Sequence, residues 1–474
     1  MIIKITISNL SESEHIGDIE KEIEDASLNL EWIIRKKHFI HDASSLEEVE
    51  RDIFKATDNL AGQLLALKIQ ESLDSPELKE DGSELIDACP KKMKNQGPRE
   101  VKIRPFRGEP IIVKSSYYSP KKGKKKQNKG FYPCLTLLGI HEHCTPCFAS
   151  EVSGLSSILS SFNETQQVLK DQGINLDIKA IRLISLRVAE RTRAGLMAQK
   201  SNFRETVSGR KVVVSTDGGR IRIREDKRGP KTKKGRSRYS TQWREPKLLI
   251  IYVVKCNGEM DRCFAPFIDG TLKGPDAIFS LIKFYLSKLS IVKADKVLFV
   301  ADGARWIWNR VGKLMRALGL SSHQFYELVD FYHAVEHLGK VASLRKGWKS
   351  SERKRWIKKY RSLLLKGKID NVIEGIRQVC RGRSSKEIRC ERDYFIRNYR
   401  RMSYDTISSM GLPIGSGAME SSIRRVVNLR LKGASVYWHR ETAEAMLLLR
   451  SYYKAGRFDM LKNLTFSASA TNFA

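Results

Sequence analysis

The chain has 474 residues, 41% hydrophobic and 8% aromatic, which is enough for packed cores in two to four structural units. No apolar run approaches the roughly 20 residues that a bilayer-crossing helix needs, and the longest, Leu248–Val254, has the length of a strand, so no membrane role is expected. Lys and Arg outnumber Asp and Glu by 86 to 54, a net +32 that suits a polyanionic partner better than a neutral small-molecule substrate.

The charge is unevenly placed. Residues 1–90 hold nine basic and 21 acidic side chains, net −12, leaving +44 for the remainder. An excess of that size, spread over several segments, fits nucleic acid, whose phosphates release counterions on binding. A merely soluble basic protein is the bland alternative, and no amphipathic membrane helix is evident. Eight irregularly spaced cysteines do not read as a disulfide framework. With an N-terminus lacking the signal-peptide pattern, they lead us to expect a reducing, cytoplasmic compartment.

Residues 1–90 read as an acidic helical region. Ser45-Leu46-Glu47-Glu48 resembles a capping box, with Ile53, Leu60, Leu64 and Leu65 following at helical spacing. An ordinary bundle helix explains this, and self-association is the sharper reading. Residues 91–143 read as a basic linker with a small β region. Lys91, Lys92, Lys94, Arg99, Lys102, Arg104 and Arg107 lead to a short strand at Ile111–Tyr118. The run Lys121-Lys122-Gly123-Lys124-Lys125-Lys126 is either a solvated hairpin tip or a phosphate-tracking loop.

Residues 144–205 read as a helix-turn-helix-like DNA-binding region. Helices are expected over Phe148–Phe162 and Glu164–Lys170, with a break at Asp171-Gln172-Gly173 and a third helix capped by Asp177 and running to about Arg193. Ile178, Ile181, Ile184 and Val188 line one face of it, while Lys179, Arg182, Arg187 and Arg191 decorate the others. Such a basic second helix is what major-groove entry needs, although many helical bundles share the pattern.

Residues 206–330 change period. Lys211–Ser215, Leu248–Val254, Val297–Val300 and Phe325–Val329 read as strands, Arg220–Arg224 as a half-exposed strand, and Pro275–Leu289 as a helix. The alternation argues for a mixed α/β sheet. Residues 331–410 return to basic helix containing Trp348 and Trp356, and 411–474 supply the helices that close the fold.

Two apolar strands end in an aspartate followed by glycine: Val-Val-Val-Ser-Thr-Asp217-Gly and Val-Leu-Phe-Val-Ala-Asp302-Gly. Each strand drives into a core and presents its carboxylate at the sheet rim, the glycine permitting a sharp exit. A turn-capping Asp is the bland reading of either one alone. A third carboxylate, Glu420, lies in the first turn of a helix entered through Pro413-Ile-Gly415-Ser416-Gly417, where the helix dipole favours negative charge. A surface Glu complementing that dipole is its bland reading. Arg424, Arg425, Arg430 and Lys432 follow closely and suggest a phosphate-seeking surface. Three carboxylates suit two Mg²⁺ ions (Mn²⁺ as substitute), which activate the attacking oxygen and stabilise the leaving one in phosphodiester chemistry.

These residues, together with Trp243-Arg-Glu-Pro-Lys247, Ala-Asp302-Gly-Ala-Arg-Trp306-Ile-Trp308, Asp330-Phe-Tyr-His333-Ala-Val-Glu-His337 and Gly415-Ser-Gly-Ala-Met-Glu420-Ser, resemble the DDE transposases of bacterial insertion sequences, particularly the Kra-type group. Arg430-Leu-Lys432-Gly433, Trp438 and Ala445–Arg450 continue the resemblance to the C-terminus. It implies an RNase H-like catalytic domain interrupted by an all-helical insertion. Asp217, Asp302 and Glu420 would be the metal-holding catalytic residues, with Asp330 and His333 supporting the site. It also implies terminal inverted repeats and target DNA as partners, and a dimer or higher oligomer on paired DNA ends near the bacterial nucleoid. Two departures stand out. The upstream Cys-Pro-x-Cys ribbon is replaced by Tyr118-Ser119-Pro120-Lys121-Lys122, and no Tyr and Arg precede Glu420 as in the Tyr-Arg-Glu-Lys subgroup. A domesticated DNA-binding relative and an RNase H-like nuclease or integrase are the alternatives.

Competing motifs remain. His333-Ala-Val-Glu336-His337 matches the H-x-x-E-H pattern of one class of zinc peptidases, a short match with no need for so basic a chain. His141, His143, Cys144 and Cys147 offer zinc-type ligands, packed unusually tightly in sequence. Trp306 and Trp308 read as core residues, and Trp438, amid Lys432, His439 and Arg440, as a surface that stacks on unpaired bases.

Overall fold

Isoleucines and other apolar residues every three or four positions turn the acidic N-terminal segment into helix α1 (Glu14–Arg35), whose buried stripe is Ile16, Ile19, Ile23, Ala26 and Leu30. The stripe packs on α2 (Ala43–Asp74) in a computed structural model that describes residues 14–36, 39–120, 130–198, 203–233, 235, 237–382, 385–434 and 436–466. The chain forms two units, residues 1–198 with 459–474 and residues 199–458.

In the first unit, α2 begins one turn earlier than the expected box at Ser45. Asp42 is the cap, accepting from Ser45 N at 2.7 Å, while Ser45 Oγ accepts from Asp42 N at 3.1 Å. Ser75 ends α2 and caps α3 (Pro76–Asp87). The basic stretch expected as linker is β1 (Met93–Ile103), paired antiparallel with β2 (Ile111–Pro120). Val101, Ile103, Ile111 and Val113 face α1 and α2 in one core. Gln70, fully buried on α2, exchanges two hydrogen bonds with the backbone of Lys114 and so ties the hairpin to the helix. The Lys121–Lys126 run lies outside the described residues.

After α4 (Pro133–Leu137), three helices follow much as expected: α5 (Pro146–Ile158), α6 (Phe162–Asp171) and α7 (Ile178–Ala198). Gly173, at φ 79°, ends α6, and Asp177 Oδ1 accepts from Ala180 N at 2.6 Å to start α7. Ile181, Ile184 and Val188 are buried, whereas Ile178 is exposed.

The second unit is built on a five-stranded mixed sheet flanked by helices. Its strands are β3 (Lys211–Gly218), β6 (Lys247–Val254), β7 (Phe267–Thr271), β8 (Lys296–Ala301) and β9 (Phe325–Val329), in the order β7-β6-β3-β8-β9. β3, β8 and β9 run parallel; β6 pairs antiparallel with both β3 and β7, so it alone runs against the other four. Continuous runs such as Val212–Val214 and Val297–Val300 are fully buried, as strands covered on both faces must be. The expected half-exposed strand at Arg220–Arg224 does not join this sheet. It is β4 (Ile221–Asp226), which pairs with β5 (Tyr239–Arg244) in a separate hairpin.

Helices α8 (Pro275–Lys288) and α9 (Arg305–Ala317) follow β7 and β8. After β9 come α10 (Phe331–Ser343), α11 (Ser350–Leu365), α12 (Ile369–Cys380), α13 (Lys386–Asn398) and α14 (Tyr404–Ser409). The short α15 (Gly417–Ile423) packs on β3 and β6, and α16 (Arg440–Lys454) packs on β7. The final helix, α17 (Phe458–Phe466), belongs to the first unit from Asp459 onward, so the segment 411–474 is divided between the units.

Candidate active site

Strand register brings three aspartates to one level. Lys211 pairs with Lys296 and Val214 with Phe299, a constant offset of 85 residues that is also the offset from Asp217 to Asp302. Val297 pairs with Phe325 and Ala301 with Val329, an offset of 28 that carries Asp302 to Asp330. All three therefore end adjacent parallel strands at the carboxyl edge of the sheet, the edge where open α/β sheets place their sites.

The three carboxylates are held differently. Asp217 is half-buried. Its Oδ1 accepts from Gly218 N at 2.6 Å. Burial raises its carboxyl above the ordinary range; the Gly218 N–H pulls it down, the neighbouring Asp302 raises it again, and His333 and Lys247 lower it, with the net direction upward. Asp302 Oδ1 accepts from Ala304 N at 3.0 Å, and the Trp308 indole N–H donates to the Asp302 carbonyl at 2.7 Å, pinning the turn. Asp330 is fully buried and both its oxygens are engaged, Oδ1 by His333 N at 2.8 Å and Oδ2 by Ser416 N. Asp330 thus caps α10 and ties it to the loop that enters α15, as the Phe331 N–H to Ile414 carbonyl bond also does.

Neither Gly218 nor Gly303 adopts a positive φ, so the expected sharp exit is not why glycine follows each aspartate. A Cβ on Gly303 would stand 2.1 Å from the Tyr394 ring, and one on Gly218 2.1 Å from Glu245 Oε1. Room, rather than backbone freedom, is what these positions require.

Glu420 is exposed in the first turn of α15. A π-helical turn, Arg424–Asn428, continues α15, and buried Arg450 supports it by donating to the Val426 carbonyl at 3.1 Å and the Arg425 carbonyl at 2.5 Å. The second oxygen of Asp217, that of Asp302 and both of Glu420 have no protein partner among the described residues. The uncommitted oxygens of Asp217 and Asp302, whose charges repel, fit a divalent cation. Among the described residues no group of three or more His, Cys, Asp or Glu side chains closes around a common point, so Glu420 stands apart from the Asp217–Asp302 pair.

Two further residues border the pair and were not singled out from sequence. Lys247 is buried beside Asp217, ion-paired to Glu245 at 2.6 Å and stacked over Trp306 at 4.0 Å. Its place in Trp243…Lys247, opposite Gly218 across β3 and β6, was the available signal. Tyr394 of α13 packs over Gly303. Burial, followed by Asp302 and Asp330, pushes its phenol up. No local pattern marks it.

Several expectations need correction. Trp438 is buried, donates to the Leu431 carbonyl at 3.0 Å and lies under the Arg430 guanidinium at 5.0 Å, so neither residue presents itself to DNA. Arg424 and Lys432 are exposed, and Arg425 is half-buried with a bond to the Lys454 carbonyl. On α7, Lys179, Arg182 and Arg187 are exposed, Arg187 pairing with Glu190 at 2.7 Å, while Arg191 pairs with Glu142 at 2.5 Å. His337 bonds Glu391 at 2.6 Å and stacks on Tyr394 at 3.6 Å, so it does not share a metal point with His333, whose Nδ1 faces Glu336 at 3.5 Å. Around Cys144, burial pushes the thiol up to about 12 and the His141 imidazole down to about 3, while Cys147 is exposed. These residues do not gather as zinc ligands.

No family model matches the chain, and no curated protein is detectably similar to it.

Proposed function

We propose that the chain is a DDE transposase that binds the terminal inverted repeats of an insertion sequence, cleaves DNA at the element ends and joins the freed 3′-hydroxyls to target DNA. The observation that carries this is the Asp217–Asp302 pair, level on adjacent parallel strands, with Asp217 driven toward protonation by burial and by its neighbour. The order β7-β6-β3-β8-β9 agrees with an RNase H-like sheet, and helices α10–α14 then stand as its all-helical insertion.

Asp217 and Asp302 would hold Mg²⁺ through their uncommitted oxygens, with Glu420 as the third carboxylate. Bound there, two ions would activate the attacking oxygen and stabilise the leaving one. Asp330 acts as a positioning residue, fixing the loop from which Glu420 projects. His333 and Lys247 supply positive potential beside Asp217. Lys179 and Arg182 on α7 and Arg424 and Lys432 after α15 would contact DNA phosphates, on a dimer pairing two ends in the bacterial cytoplasm. The test is incubation of purified protein with Mg²⁺, DNA bearing the flanking repeats and a supercoiled target. Joined products are expected. Cleavage without joining would indicate an RNase H-like nuclease instead, and specific binding without cleavage a DNA-binding relative.

A further inference from the structure

The hairpin that begins four residues after Asp217 carries chemistry that the catalytic reading does not use. Its inner face is apolar: Ile221 and Ile223 of β4 are fully buried, and Trp438 joins the other edge of β4 through bonds to the backbone of Arg222 and Arg224. Alternation along β4 therefore turns its arginines to the outer face. There Arg222 stands opposite Trp243 in the register.

That face interleaves cations with rings. The guanidiniums of Arg220 and Arg222 lie 5.1 and 5.6 Å from the Trp243 ring, Arg222 also lies 4.6 Å from Tyr437, and Arg224 4.7 Å from Tyr239. The rings remain exposed, Tyr239 at 43%, Trp243 at 51% and Tyr437 at 37%. From residue 220 to 244 the sequence holds eleven Arg and Lys against Glu225 and Asp226 alone. Those two acids are engaged by Arg244 at 3.1 Å and Arg224 at 3.5 Å, leaving a large positive surplus.

A guanidinium stacked on a ring keeps its remaining in-plane N–H donors available for phosphate, Arg222 committing one of its own to the Gly433 carbonyl, and a ring exposed between such cations offers its free surface to a base. A duplex presents phosphates but hides its base faces; an unpaired strand presents both. We infer that the outer face of the β4–β5 hairpin is a binding site for a single DNA strand. The inference rests on the DNA-processing reading only for the choice of DNA as the nucleic acid.

The test uses the full-length protein and fluorescence anisotropy with a labelled oligothymidylate of about 20 nucleotides and a duplex of the same length. Trp243→Ala combined with Tyr239→Ala is expected to weaken oligothymidylate binding at least about tenfold, while duplex affinity changes by less than about twofold. Trp243→Phe should retain most of the binding. Melting temperature should be unchanged, because the deleted rings are solvent-facing. Unchanged oligothymidylate affinity in the double variant, or an equal loss for both probes, overturns the inference. Cleavage is not read in this assay. A protein that binds the strand through Trp243 but never cleaves DNA keeps this site and loses the transposase reading; one that cleaves but ignores Trp243 does the reverse.

Discussion

At Asp217 the physical chemistry of folding and that of catalysis pull in opposite directions. Its carboxyl is raised in the folded chain, so the stability it contributes is present below the ordinary carboxylate range and lost as pH rises through the raised value. Above that raised value the ionised group therefore opposes the metal-free fold. Asp217→Asn should leave the melting temperature of the metal-free protein unchanged or raise it by about 2–4 °C, as calorimetry would read, while lowering metal-dependent cleavage by at least about 100-fold. On acidification, cleavage should decline at a pH above that at which an ordinary carboxylate protonates, because the neutral acid is a poor cation ligand. A single-turnover pH profile checks this. Asp330 behaves differently: Asp330→Ala leaves the buried N–H groups of His333 and Ser416 without their acceptor, a cost of about 2–5 kcal/mol that denaturant unfolding would detect.

At the scale of elements, legibility in the sequence followed burial. β3, β6 and β8 announce themselves as short apolar runs because both faces are covered, and Asp217 and Asp302 are visible as the polar residues that end two of them, whereas the edge strand β9 is partly exposed and carries Glu327. β1 and β5 are charged or polar hairpin strands, and β7 carries Asp269 and Gly270 within five residues, so none shows an apolar period. Trp438 misled because its neighbours in sequence are basic; which side of that segment meets the core depends on its pairing with β4, set more than 200 residues earlier. Trp438→Ala should accordingly cost about 3–5 kcal/mol of stability, as a cavity-forming change does. Lys247 and Tyr394 reach the site only through strand register and helix packing, which no local spacing encodes.

Over the whole chain, an acidic first 90 residues stand against a remainder of net +44. Binding to nonspecific duplex should fall steeply and log-linearly with salt, each phosphate contact contributing a slope of about −0.9. That behaviour is shared by any basic DNA-binding protein and does not identify the chemistry. The proposed chemistry rests on the Asp217–Asp302 pair, and the direct measurement is single-turnover cleavage of repeat-bearing DNA by wild type and Asp302→Asn across a Mg²⁺ titration. Wild type should cleave only with the cation, and Asp302→Asn, folded and binding DNA with wild-type affinity, should cleave at least about 100-fold more slowly at every concentration. Equal cleavage by the two proteins, or cleavage indifferent to Mg²⁺ in a chelated buffer, would contradict that chemistry.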